Sequence, residues 1–162
     1  MNIILCGMPK SGKTTIGKKL ARTLGWNFID TDQMIIKAHG RACRDLFLQQ
    51  GETNFREMES QQVVSLKNIQ NTVISIGGGA LCNPENASHL QSLGKLVYLK
   101  VPSNILWSRN SINGMPAFIS SHDAFKKLEE KRLPIYERYA TTHIEVYKLT
   151  IKEVINAILD TK

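Results

Sequence analysis

With 162 residues, 42% of them hydrophobic and 22% charged, the chain suits one globular domain with a full core and is too short for two comfortable ones. Its net charge of +7, from 21 basic against 14 acidic residues, is scattered apart from Lys18-Lys19, Lys126-Lys127 and Lys131-Arg132; lacking an aromatic-interleaved basic stripe, it points to small anionic ligands and away from nucleic acid. No apolar run approaches the ~20 residues of a membrane span, and with no room for a signal peptide before the first strand, a cytoplasmic location without membrane attachment is expected.

In chain order, Asn2 to Cys6 is an apolar run of strand length, and Ile16, Leu20 and Leu24 recur every four residues as a helical stripe. Between them Gly7-Met8-Pro9-Lys10-Ser11-Gly12-Lys13-Thr14 fits G-x-x-x-x-G-K-[ST]. In such a loop, backbone N–H groups and the positive helix terminus converge on nucleotide phosphates. Lys13 adds a mobile charge for the β- and γ-phosphates, and Thr14 a hydroxyl for Mg²⁺. Binding of ATP or GTP is expected.

Trp26 to Ile29 reads as a second strand running into Asp30-Thr31-Asp32, with Thr31 as cap of a helix that begins near Asp32 and ends at Gly40. A short amphipathic piece from Arg44 to Gln50 stops at Gly51. A longer helix follows from Glu52 to about Asn68, with Phe55, Met58, Gln62, Leu66 and Ile69 on its inner face. The β-branched run Thr72 to Ile76 is a third strand, ending at Gly77-Gly78-Gly79. Asn83-Pro84 opens a helix, Lys95 to Lys100 is a fourth strand, and Pro102 starts a helix reaching about Arg109. Residues 110–121 lack periodicity and hold Gly114 and Pro116, which predicts a lid loop. A helix from near His122 to Arg132 is broken or kinked by Pro134 before continuing to Tyr139. A fifth strand over Thr142 to Val146 precedes the capping box Thr150-x-x-Glu153 and a final helix burying Ile151, Val154, Ile155, Ile158 and Leu159. Strands alternating with helices imply parallel pairing through right-handed crossovers. The fold expected over residues 1–162 is an α/β, P-loop NTPase-type three-layer sandwich: one domain, a five-stranded parallel sheet flanked by helices, and a lid.

Ligands in open α/β sheets bind beyond the carboxyl ends of the strands. Three motifs follow the first three strands: the glycine loop, Asp30-Thr31-Asp32 and Gly77-Gly78-Gly79. Asp30 suits a Mg²⁺ beside Thr14, facing it through water, and Asp32 suits the acceptor hydroxyl as hydrogen-bond acceptor and base. An Asp pair also starts helices by capping and dipole compensation. Three glycines let a substrate approach the backbone, or merely form a flexible turn. Arg56, with Glu59 on the same helix face, and Arg132 form either solvated surface groups or a two-arginine clamp on a carboxylate. The three cysteines lack paired or C-x-x-C spacing, and the four histidines show no metal-ligand spacing.

Five ordered segments together resemble the shikimate kinases along nearly the whole chain: Gly7 to Thr15, Phe28-x-Asp30-x-Asp32, Gly51-Glu52-x-x-Phe55-Arg56-x-x-Glu59, Ile76-Gly77-Gly78-Gly79-Ala80 and Lys131-Arg132-x-Pro134-x-Tyr136. The resemblance implies transfer of the ATP γ-phosphate to the 3-hydroxyl of shikimate, a step towards aromatic amino acids, by a monomer that uses ATP and Mg²⁺. It implies Lys13 and Asp32 as catalytic residues. Gly7, Lys10, Ser11, Gly12, Lys13, Thr14, Thr15 and Arg109 would hold the nucleotide, and Thr14 and Asp30 the metal. Asp32, Arg56, Gly77, Gly78, Gly79 and Arg132 would hold shikimate, within a helical region of about 31–60, under a lid of about 110–121. Two departures from the family pattern stand out: Met115-Pro116 where the lid usually carries Arg-Pro, and Lys10 where the loop commonly has glycine. Lys10 or Arg109 is expected to replace part of the missing charge, or Arg109 to stack on adenine. The competing readings are a gluconate or nucleoside-monophosphate kinase and an ATP-binding sensor or scaffold with weak or no kinase activity.

Overall fold

The computed structural model describes residues 1–109 and 116–161. Their five strands form one parallel sheet in the order β2-β3-β1-β4-β5, with β1 over Asn2–Cys6, β2 over Asn27–Asp30, β3 over Thr72–Ser75, β4 over Lys95–Lys100 and β5 over Thr142–Glu145. The central β1 is buried at every position, as a parallel strand covered by helices on both faces must be. The register sets Leu5 and Asp30 beside Ser75 and Cys6 beside Tyr98, so the carboxyl ends of β2, β3, β1 and β4 lie together. From β1 the chain crosses to β2, and from β3 it crosses back to β4. The crevice between the ends of β1 and β3 is therefore the switch point at which such sheets bind ligands.

Helix α1 spans Lys13–Leu24, α2 Thr31–His39, α3 Cys43–Ser65, α4 Pro84–Leu93, α5 Ser103–Arg109, α6 His122–Tyr139 and α7 Ile151–Asp160. Gly51, at φ 80° and ψ 168°, divides α3 into two helical segments, the break that glycine signals in the sequence. The capping box of Thr150 and Glu153 and the Asn83 cap of α4 are both formed. Tyr98 of β4 and Tyr136 of α6 pack at 5.1 Å between ring centroids, and Phe125 beside them is fully buried. Burial of one large apolar side chain is worth roughly 1.5–3 kcal/mol. No helix among the described residues is long and apolar enough to cross a membrane.

Four local expectations are corrected. Asp30, not Thr31, caps α2: its Oδ1 accepts the N–H of Asp32 at 3.0 Å, whereas the Thr31 hydroxyl accepts the N–H of Gly77 at 3.0 Å. Pro134 does not end the helix. It forfeits one hydrogen bond, and Phe125, Glu129, Arg132 and Tyr136, all buried on the inner face, hold α6 on both sides of it. On the inner face of α3 the buried positions include Glu59 and Val63, while Gln62 is half-buried. Leu159 is 41% exposed, because α7 buries Val154, Ile155 and Ile158 on a narrower stripe.

Candidate active site

The P-loop wraps around its own lysine. Gly7 at φ 145° and Gly12 at φ 98° take conformations that side chains disfavour, and a Cβ on Gly7 would meet the Leu99 carbonyl oxygen at 2.9 Å. The Lys13 Nζ donates to the carbonyl oxygens of Gly7 and Met8 at 2.9 Å each, which places the ammonium inside the loop. Burial lowers its pKa, while the negative charge of Asp32 acts in the opposite direction. The Ser11 hydroxyl is buried without a hydrogen-bond partner among the described residues. Lys10 stands at φ 66°, a left-handed conformation unusual for a residue with a Cβ, and its carbonyl accepts a hydrogen bond from Arg109 at 3.4 Å. Thr14 donates its hydroxyl to Asp30 at 2.7 Å, so Asp30 serves the helix cap with one oxygen and the P-loop threonine with the other.

Beside the P-loop, Gly77, Gly78 and Gly79 form a floor on which charged groups rest directly. A Cβ on Gly77 would lie 2.5 Å from Glu59 Oε1 and 2.8 Å from Asp32 Oδ1. On Gly78 it would lie 3.0 Å from Arg132 Nη1, and on Gly79 it would collide with the guanidinium of Arg56 and lie 3.1 Å from Arg132 Nη2. The glycines are thus required by close approach, not by turn flexibility. Tyr136 fixes this floor from beneath by donating to the Gly78 carbonyl at 2.6 Å.

The charges are unevenly satisfied. Arg56 pairs with Glu59 at 2.9 Å and with Glu52 at 3.5 Å. Arg132 is 2% exposed, and its Nη1 has no hydrogen-bond partner among the described residues. A buried guanidinium donor left open is costly unless an anion fills it. Asp32 is pushed up from 3.8 to about 6, first by burial and then by the neighbouring charges of Asp30 and Glu59, against the pull of Lys13 and Arg56. It is still mostly ionised at neutral pH and close to the value an acid–base group needs.

These groups line one cleft of about 600 Å³. It brings together Lys10, Gly12, Lys13, Thr14, Thr15, Asp32, Arg56, Gly77, Gly78, Gly79 and Arg132 of the expected residues. Gly7 and Ser11 shape the loop from behind, Asp30 is reached through Thr14, and Arg109 reaches the site through the Lys10 carbonyl. Residues 110–115 of the expected lid, Met115 among them, lie outside the described residues, whereas Pro116, Ala117 and Phe118 line the cleft. Sequence reasoning missed Phe47, Phe55 and Phe118 on the wall and gave Tyr136 no role. It also missed Cys43, which lines the cleft with its thiol 3.6 Å from the Asp32 carbonyl; burial, with the Asp32 charge adding to it, pushes that thiol up to about 12, so it remains protonated.

A lysine-threonine P-loop at the sheet's switch point, beside a deep charged acceptor cleft, defines a phosphotransferase of the P-loop kinase class. A sequence model of shikimate kinase matches residues 9–162. The shikimate kinase of Caldanaerobacter subterraneus subsp. tengcongensis is 37% identical over 161 residues, covering 98% of this chain and 94% of that protein. The solved shikimate kinase of Acinetobacter baumannii in complex with shikimate superposes with a TM-score of 0.92 at 29% identity, covering 98% of this chain and 90% of that one. That of Aquifex aeolicus gives 0.85 at 32% identity, with 98% and 94% covered. The chain belongs to the shikimate kinase family.

Proposed function

We propose that this cleft carries out the phosphorylation of shikimate by ATP, with the 3-hydroxyl as acceptor and the residues above in defined roles. Shikimate phosphorylation is the activity of the family. Arg132 and Arg56 bind the acceptor carboxylate in the region 31–60 and α6, and the Gly77–Gly79 floor lets the ring lie against backbone. Asp32 accepts a hydrogen bond from the acceptor hydroxyl. As the hydroxyl oxygen bonds to the γ-phosphorus, the bond to the β–γ bridging oxygen breaks, ADP leaves, and the hydroxyl proton passes to the Asp32 carboxylate. Lys13, now held by two loop carbonyls, turns its ammonium to the phosphates. The hydroxyl of Thr14 beside the Asp30 carboxylate at 2.7 Å is a hard-oxygen pair that suits Mg²⁺, which keeps several waters and binds through few protein groups. Thr14 and Asp30 would hold the ion, which would supply neutralisation of the β- and γ-phosphate charge.

The observation that carries this reading is the open, buried Nη1 of Arg132 on the same glycine floor as Asp32. It calls for an acceptor with an anionic group at one end and a hydroxyl at the other. The test is ADP release by the purified protein with ATP and Mg²⁺ in the presence of shikimate, gluconate or AMP. Turnover on shikimate alone is expected; equal turnover on gluconate or AMP, or none on shikimate, would overturn the assignment.

A further inference from the structure

Phe118 lies within the expected lid, and its ring faces both arginines of the proposed clamp. The guanidinium carbon of Arg132 lies 5.1 Å from the ring centroid and that of Arg56 at 5.7 Å. On its other side the ring packs against Phe47 of α3 at 5.4 Å and 58°, and Phe47 packs edge-on against Phe55 at 5.8 Å. Phe55 in turn lies 5.6 Å from the Arg56 guanidinium carbon. Phe118 therefore contacts both cations and Phe55 one of them, while Phe47 links the two rings.

The choice of an aromatic support has a chemical consequence. A carboxylate or carbonyl beside Arg132 would anchor it by consuming its N–H donors, and a carboxylate would also cancel its charge. A ring face attracts the cation through its quadrupole and leaves the in-plane N–H groups pointing outward. Arg56 has Glu59 and Glu52 as further anchors, whereas Arg132, nearly fully buried with Nη1 open, has no ion pair among the contacts described. We infer that Phe118 is a positioning residue for the acceptor: its ring holds the Arg56 and Arg132 guanidiniums in register while leaving their donors free for the carboxylate. This rests on the reading of Arg56 and Arg132 as the carboxylate clamp. It also makes the described part of the expected lid a determinant of acceptor binding.

The test compares Phe118→Leu, which keeps an apolar side chain but no ring, with Phe118→Tyr, which keeps the ring, and with Arg132→Ala. Each is assayed on shikimate and on the analogue whose carboxylate is reduced to a primary alcohol. Phe118→Leu is expected to raise the KM for shikimate roughly fivefold to tenfold, the scale of two cation–π contacts of which one is buried. The kcat and the ATP KM should stay within about twofold, since the ring touches neither the P-loop nor Asp32 in any contact described. Phe118→Tyr should behave as wild type, and on the alcohol analogue Phe118→Leu and wild type should have the same kcat/KM. Phe118→Met replaces the leucine variant if the latter does not fold. If Arg132→Ala discriminates between the two acceptors but Phe118→Leu does not, Phe118 has no positioning role and the clamp survives. If Arg132→Ala weakens both acceptors equally, the clamp itself is wrong and the inference falls with it.

Discussion

Asp32 is held in the folded protein at a cost that its removal should reveal. Its carboxyl is raised from 3.8 to about 6, chiefly by burial. A group whose folded pKa lies above its unfolded value binds protons more tightly when folded, so its contribution is most favourable at low pH. That contribution declines as pH rises from about 4 to about 6, and above this window the full penalty of the ionised group is present. A shift of this size corresponds to about 3 kcal/mol at neutral pH. Asp32→Asn removes the charge and retains the shape. It should therefore be more stable than wild type at pH 7.5 by about 2–3 kcal/mol, with the advantage fading to nothing near pH 4. In a chain of this size that is an increase in Tm of roughly 5–10 °C.

Turnover should move the other way. A positioned base contributes about 10²- to 10⁴-fold, so Asp32→Asn should lose activity on that scale while still binding ATP. In wild type, kcat/KM for shikimate should rise with pH through about 6, as Asp32 becomes ionised in the free enzyme. Urea melts at pH 4, 5, 6 and 7.5, paired with coupled ADP-release assays, measure both effects on the same samples. A variant equally destabilised at every pH would show that Asp32 makes net favourable contacts and that its burial is not the dominant influence. Normal turnover would remove it from the mechanism.

The fold was legible where backbone chemistry writes itself into residue types. Gly7 and Gly12 need positive φ, Gly51 breaks α3, and Asn83 and Thr150 cap helices, each through a local constraint visible in a few residues. What escaped was decided by tertiary contacts. Thr31 and Asp30 are both good caps by type, and the choice between them turns on the Gly77 N–H, which takes the threonine hydroxyl from the far end of β3. Pro134 reads as a breaker until its buried neighbours on α6 are known. The charged residues that line the cleft were legible because they fall in the ordered segments that resemble the family. Phe47, Phe55 and Phe118 were missed because an aromatic residue in a sequence looks the same whether it fills a core or supports a guanidinium. Glu59 was read as the partner of Arg56, and it is; its near-complete burial on the glycine floor was not visible in helical spacing.

The remaining predictions concern the phosphate site and the floor. Lys13→Met should abolish most turnover, measured by ADP release, because no neighbouring group replaces an ammonium seated inside the loop. Gly79→Ala would push its methyl into the Arg56 guanidinium, the far end of a flexible side chain, so the fold should persist while shikimate KM rises about tenfold and ATP KM stays constant. Lys10 carries the larger argument. A lysine at φ 66° is strained by about 1 kcal/mol relative to glycine, and its carbonyl is tied to Arg109 at the end of α5. Lys10→Gly should therefore leave folding stability within about 1 kcal/mol of wild type yet lower kcat if the lysine supplies charge to the phosphates. In a Met115→Arg background the same substitution should cost less, since the introduced arginine would meet the same demand, and a double-mutant cycle measures that coupling. Arg109→Ala separates two roles: a fall in kcat makes it part of the Lys10 arrangement, whereas a raised ATP KM with kcat unchanged makes it a nucleotide contact. If Lys10→Gly and Arg109→Ala both left turnover untouched, charge compensation at this site would be wrong, and the strain at Lys10 would be a purely structural feature of the loop.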